Sequence, residues 1–178
     1  MKLKIKVKLL NNNCNIQLNP VGDWIDLKAA ETIDLKGIEA TVLKRTQKNK
    51  VRDSFREIKN EYHLLPLGIA MELPSGFEAI VAPRSSIFKN FKCIVPNSIG
   101  VIDNTYCSEK DQWYLPIIPL ENTSIVEGDR ICQFRIQLSQ KATSWQKIKW
   151  LFSSGVKITY VEKLDNKDRG GFGSSGVK

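Results

Sequence analysis

Histidine occurs once in this chain, as His63, and the four cysteines (Cys14, Cys93, Cys107 and Cys132) stand apart without a CxxC pair. A structural zinc site needs closely spaced thiols and imidazoles, so that class is excluded. Reduced, mostly buried thiols are expected instead, and His63 reads as a surface or loop residue. Also missing is any apolar run near the ~20 residues that a membrane-spanning helix requires. The opening stretch, Met-Lys-Leu-Lys-Ile-Lys-Val-Lys-Leu, is basic but alternates and lacks the continuous apolar core of a secretion signal. A cytoplasmic protein with no membrane attachment is therefore expected. Acidic residues are the scarcer charge, 19 against 27 Lys and Arg, leaving a net charge of +8. Such a balance attracts nucleic acid and equally steers a small polyanion toward a site. The basic residues are widely spread with no recognition module among them, so nucleic acid is not the expected partner.

What is present suits one globular domain. The chain has 178 residues, 42% hydrophobic and 26% charged, enough to bury a real core. Short β-like runs recur at 2–10, 24–30, 64–73, 77–83, 93–102, 113–120 and 130–138, punctuated by Pro74-Ser-Gly, Pro83, Pro96 and Glu127-Gly-Asp. That rhythm predicts an all-β sandwich or barrel. Two segments break it. From Lys44 to His63 the chain is highly charged, and Val51, Phe55, Ile58 and Tyr62 fall at helical spacing, predicting an amphipathic helix. From Ser144 to Phe152 a short helix capped by Ser144 would place Trp145 and Ile148 on one side, though alternation there also allows a strand. The last residues are rich in Gly and Ser and read as a flexible end.

The most informative stretch runs from Pro96 to Trp113. Asn97 is polar, Ser98-Ile99 leads into Gly100, Val101-Ile102 is β-branched, Asp103-Asn104 marks a turn, and Tyr106 follows three residues after Asp103. An acid, an amide and a phenol on one bend suit the gripping of a small polar ring; the same composition also makes an ordinary Asx-turn hairpin.

Five segments in order now matter together. Gly100-Val-Ile-Asp-Asn-Thr-Tyr closely resembles the third signature of the trimeric dUTPases. Gly22-Asp-Trp-Ile-Asp-Leu resembles the first, Pro83-Arg-Ser-Ser the second, Gly128-Asp-Arg-Ile-Cys-Gln the fourth, and Arg169-Gly-Gly-Phe-Gly-Ser-Ser-Gly the fifth. The resemblance, to the Gram-positive and phage-like branch, implies a distorted jelly-roll β-barrel over residues 1–166. Inserted short helical segments are expected at about 44–63 and 141–157, and a flexible C-terminal lid over 167–178.

It also implies an activity and roles. The reaction would be hydrolysis of dUTP to dUMP and pyrophosphate, with Mg2+ on the triphosphate, in a homotrimer whose sites are shared between subunits. Asp103 would accept the proton of the attacking water. The Asn97 amide, which carries both a donor and an acceptor, would read the uracil edge, with backbone groups of Ile99, Gly100, Val101 and Ile102 completing the pattern. Tyr106 would pack under the deoxyribose and exclude a 2′-hydroxyl. Arg84, Ser85, Ser86 and Gln133 would contact the phosphates, with Arg130 an ion-pair residue as much as a ligand. Asp26 would hold waters of the magnesium ion, which dehydrates reluctantly.

Three departures stand out: Trp24 and Ser86 each replace a usual Gly, and Arg169 lies two residues closer to Phe172 than in the commonest form, with Lys167 in the usual Arg position. Phe172 would stack on the uracil and Arg169, rather than Lys167, would reach the γ-phosphate. Two other readings share the fold. A dCTP deaminase also carries Arg-Ser-Ser, but requires features around its Ile-Asp-Pro-Gly turn that Ile102-Asp-Asn-Thr does not supply. A phage-type regulator would engage a repressor protein through the inserted segments.

Overall fold

The computed structural model describes residues 1–16, 18, 21–47 and 50–168, over 40–57 for the backbone alone. Among them the chain forms strands β1 (Leu3–Leu9), β2 (Ile25–Lys28), β3 (Ile33–Leu35), β4 (Glu39–Gln47), β5 (Lys50–Lys59), β6 (His63–Pro66), β7 (Ile69–Glu72) and β8 (Phe77–Pro83). Helix α1 (Ile87–Phe91) leads to β9 (Cys93–Ile94), β10 (Gly100–Asp103), β11 (Tyr114–Pro119), β12 (Thr123–Ile125) and β13 (Arg130–Leu138). Helix α2 (Ser144–Leu151) and β14 (Val156–Tyr160) follow. The strands join in the orders β14-β1-β7, β10-β8-β13-β2, β6-β11-β9, β12-β3 and β4-β5, so the protein is all-β in its framework.

Alternation explains most of it. In β1, Leu3, Ile5 and Val7 are buried, while Lys6 and Lys8 turn outward to ion pairs with Glu72 and Glu109. Phe77, Trp113 and Phe134 anchor the core, the last two edge to face with ring centroids 5.4 Å apart. All four cysteines are free and buried, and burial pushes the Cys93 thiol up to about 11. His63 opens β6 rather than lying in a loop, with Nε2 3.1 Å from Glu61 Oε2.

Two predicted strands are each split. The run 64–73 breaks at Gly68, whose φ of +64° places it in the left-handed region, with Cys14 Sγ only 2.7 Å from where a Cβ would stand. The run 93–102 breaks at a turn in which Ser98 N–H donates to Val95 O and Ser98 adopts φ +60°.

The segment 44–63 is not a helix. It contributes to an antiparallel hairpin, β4 with β5, paired from Glu39↔Lys59 to Gln47↔Lys50 with a register shift between Arg45 and Thr46. Val51 and Phe55 are four apart, a spacing that fits period 2 as well as 3.6, and Thr41, Val42, Thr46 and Val51 are β-branched. The helix at 144 does form. Its cap is Thr143 rather than Ser144: the Thr143 hydroxyl accepts from Gln146 N–H while the Gln146 side chain accepts from Thr143 N–H.

Candidate active site

The four-stranded sheet β10-β8-β13-β2 carries the residues of interest. Its burial pattern alternates except at the register shift between Arg130 and Cys132, where Ile131 and Cys132 are both buried. Ile25, Leu27, Ala79, Val81, Phe134 and Ile136 face the core. Asp26, Glu78, Ile80, Gln133, Arg135 and Val101 face the other way.

At one corner, the carboxylate of Asp26 on β2 sits between two guanidiniums. Arg84, leaving β8, brings Nε to 3.0 Å of Oδ1, and Arg130 at the start of β13 brings Nη1 to 3.1 Å of Oδ2. Arg84 is further fixed where its Nη1 donates to Arg130 O. Gln133 lies directly opposite Asp26 in the β13–β2 ladder, and its Nε2 donates to Pro83 O at 3.5 Å. Ser85 and Ser86 follow Arg84 in the turn before α1, Ser85 exposed. This corner gathers Asp26, Arg84, Ser85, Ser86 and Gln133, with one net positive charge left over from two arginines and one aspartate. It is suited to a polyanion.

At the opposite corner lies the β10 hairpin. Asn97 and Ile99 are exposed in the turn preceding β10, and Val101 is 60% exposed. Asp103 ends the strand, and its Oδ1 accepts from both Thr105 N–H, at 2.8 Å, and the Thr105 hydroxyl. Tyr106 is pinned by its hydroxyl, which donates to Gln112 O at 2.8 Å. Burial, with the charges of Asp111, Tyr114 and Asp168 adding to it, pushes this phenol up to about 12. Beneath the hairpin the buried Asp111 accepts from Ser108 N–H.

Close to this corner the chain approaches its last described residues. Asn166 donates to Cys107 O and to Glu72 Oε2. Burial works against the Glu72 charge, but hydrogen bonds from Lys6 and Asn166 outweigh it and hold that carboxyl below its usual range. Arg169 and Phe172 lie outside the described residues, and Lys167 is exposed.

The register sets the separation of the corners. Asp103 stands opposite Glu78, whereas Gln133 and Asp26 align with Ala82. Four residues along β8 and three strand spacings across the sheet put Asp103 roughly 20 Å from Asp26. One chain therefore assembles each group but does not bring the two together.

Thr105 and the Trp24–Arg135 pair, with the guanidinium 5.7 Å from the ring centroid, are features the sequence did not announce. Asp-x-Thr is a turn pattern that could have pointed to Thr105. Among the described residues no three or more carboxylate, thiol or imidazole side chains gather as a metal site. Asp26 retains acceptor capacity beyond its two arginine bonds, which fits a carboxylate that holds a metal's water rather than the metal itself.

The fold is that of the dUTPases. The crystal structure of dUTPase from Streptococcus mutans superimposes with a TM-score of 0.59 at 16% identity, covering 78% of this chain and 99% of that one. A Staphylococcus bacteriophage 80alpha dUTPase with dUPNHPP gives 0.55 at 18% identity, over 97% and 98% of the two chains. The dUTPase family profile matches residues 50–176. The SPbeta prophage-derived deoxyuridine 5′-triphosphate nucleotidohydrolase YosS of Bacillus subtilis is 41% identical over 99% of this chain and 100% of its own length. A deoxyuridine 5′-triphosphate nucleotidohydrolase of Finegoldia magna is 32% identical over 97% and 99%. This chain belongs to the dUTPase family.

Proposed function

We infer that this enzyme hydrolyses dUTP to dUMP and pyrophosphate, at sites built from more than one copy of the chain in a homotrimer. The separation of the two corners carries that reading. A water activated by Asp103 must lie within about 3 Å of the carboxylate and attack the very phosphates that Arg84, Ser85 and Gln133 would hold. At roughly 20 Å one chain cannot do both, whereas a second copy can present its opposite corner. The outward sheet face also carries Val101 and Ile80, apolar side chains suited to burial against a neighbour.

Within that arrangement the roles follow from chemistry. Asn97 and the backbone of Ile99, Gly100, Val101 and Ile102 read the uracil edge; cytosine would set donor against donor. Tyr106 cannot swing away, being half-buried and bonded to Gln112 O, so its ring closes the space a 2′-hydroxyl would need. Asp103 takes the proton of water, with Thr105 holding its Oδ1 so that the carboxylate cannot rotate freely. Arg84, Ser85, Ser86 and Gln133 bind phosphate oxygens. Asp26 would hold a water of a magnesium ion carried by the triphosphate, an ion that would supply neutralisation of phosphate charge. Arg169 and Phe172 would complete the site from the tail, at the γ-phosphate and the base. Protein partners of the kind phage-type regulators engage remain an addition to this activity rather than a substitute.

The direct test is a panel of dUTP, UTP, dCTP and dTTP followed for pyrophosphate and for ammonia. Pyrophosphate from dUTP far ahead of the others is expected. Ammonia from dCTP would replace the reading with deamination, and equal rates on UTP and dUTP would remove the Tyr106 role.

A further inference from the structure

Helix α2 presents an apolar surface that the nucleotide site does not use. Trp145 is 74% exposed, Leu151 76% and Phe152 71%, with Ile148 at 45%. At about 100° per residue these four share one sector of the helix, roughly 120° wide. The opposite side does the packing: Trp150 lies against Phe77 with ring centroids 5.4 Å apart, and Gln146 donates to Ser75. The helix is held at both ends, by its capping box and by Ser154 N–H donating to Met1 O. A firmly seated helix thus turns its large side chains to solvent.

The charge flanking it along the chain is of one sign. Residues 139–161 contain Lys141, Lys147, Lys149 and Lys157 and no Asp or Glu. On the helical projection Lys147 borders the stripe beside Leu151, and Lys149 borders it beside Trp145. Two copies of this face paired with each other about a two-fold axis would set lysines against lysines, so a self-paired face is the wrong occupant. The complement is an apolar stripe edged with carboxylates.

We propose that this face docks an acidic amphipathic helix of another protein, whose Leu, Phe or Met stripe packs on Trp145, Ile148, Leu151 and Phe152 while its flanking Asp and Glu meet Lys147 and Lys149. Apolar contact supplies the attachment, and the paired lysine edges set the register and reject basic partners. This surface stands apart from the hydrolytic reading, since none of its residues has a role there.

The test uses the full chain and two peptides about 20 residues long with Leu at i, i+3, i+4 and i+7, one edged with Glu and one with Lys, read by anisotropy and tryptophan fluorescence. Wild type should bind the Glu peptide and ignore the Lys peptide. Lys147→Glu with Lys149→Glu should weaken the first on the order of 10-fold or more and create binding of the second. Trp145→Ser with Leu151→Ser should lose both, and neither pair should alter dUTP turnover or oligomeric mass. The proposal is overturned if wild type does not bind the Glu peptide, or if both pairs bind it as wild type does. It is equally overturned if anionic phospholipid vesicles are bound with this residue dependence and the peptide is not, or if the variants change the trimer mass, which would make the face a subunit contact. Loss of turnover in an assay of Asp103 variants bears on the catalytic reading and leaves this one untouched.

Discussion

At the residue scale the proposed chemistry turns on Asp103 and its contacts with Thr105. Asp103→Asn keeps the shape and cannot take a proton, so turnover should fall by about 10²-fold or more with nucleotide affinity little changed; near-normal turnover would take Asp103 out of the mechanism. Thr105 donates twice to Oδ1. A hydrogen bond to the ionised form favours it, so Thr105→Val should move the acid limb of the kcat/KM profile to higher pH and Thr105→Ser should restore it. An unshifted limb in Thr105→Val would make the contact merely structural.

Tyr106 gives a stability prediction. Its folded pKa is raised, from 10.0 to about 12, by burial first, so the folded state holds this proton more tightly than the unfolded one. The stability this confers is complete below pH 10 and is lost as pH rises toward 12. Tyr106→Phe should therefore flatten the alkaline fall in unfolding midpoint over that window, and an unchanged fall would assign it to other groups.

At the element scale, hydrophobic period carried the long strands. The Lys/Leu alternation of β1 and the runs of β8 and β13 were legible residue by residue. What escaped was short or ambiguous. Strands β3 and β12 and the five-residue α1 have too few residues for a period to register. The β4–β5 hairpin was misread because a four-residue spacing serves a strand and a helix alike. The cap of α2 sat one residue earlier than read, since Thr143 and Gln146 satisfy each other reciprocally where Ser144 does not. Thr143→Ala should accordingly lower stability by about 1 kcal/mol in denaturant unfolding while dUTP turnover holds; no change in midpoint would mean the cap carries no net stability.

On the scale of the whole molecule, motif order made the family legible, but nothing in a linear sequence says how far Asp103 lies from Asp26. Alternation and register do: both face the same side of one sheet, at opposite corners. The departures at Trp24 and in the tail are of two kinds. Trp24 finds a use against Arg135 on that same face, whereas Arg169 and Phe172 keep only the roles proposed for them. The sequence resemblance implied shared sites; the separation of the two corners on this sheet is the physical argument for proposing them.

Mixing two inactive chains tests this most directly. Asp103→Asn retains an intact phosphate corner, and Arg84→Gln retains an intact hairpin corner. Each alone should be nearly inactive. Co-refolded in equal amounts, with mixed trimers verified by native mass spectrometry, they should recover activity approaching about a quarter of wild type, because in a cyclic trimer that share of sites draws both intact corners from different chains. Mixed trimers with no recovery would contradict the account and return the whole site to a single chain.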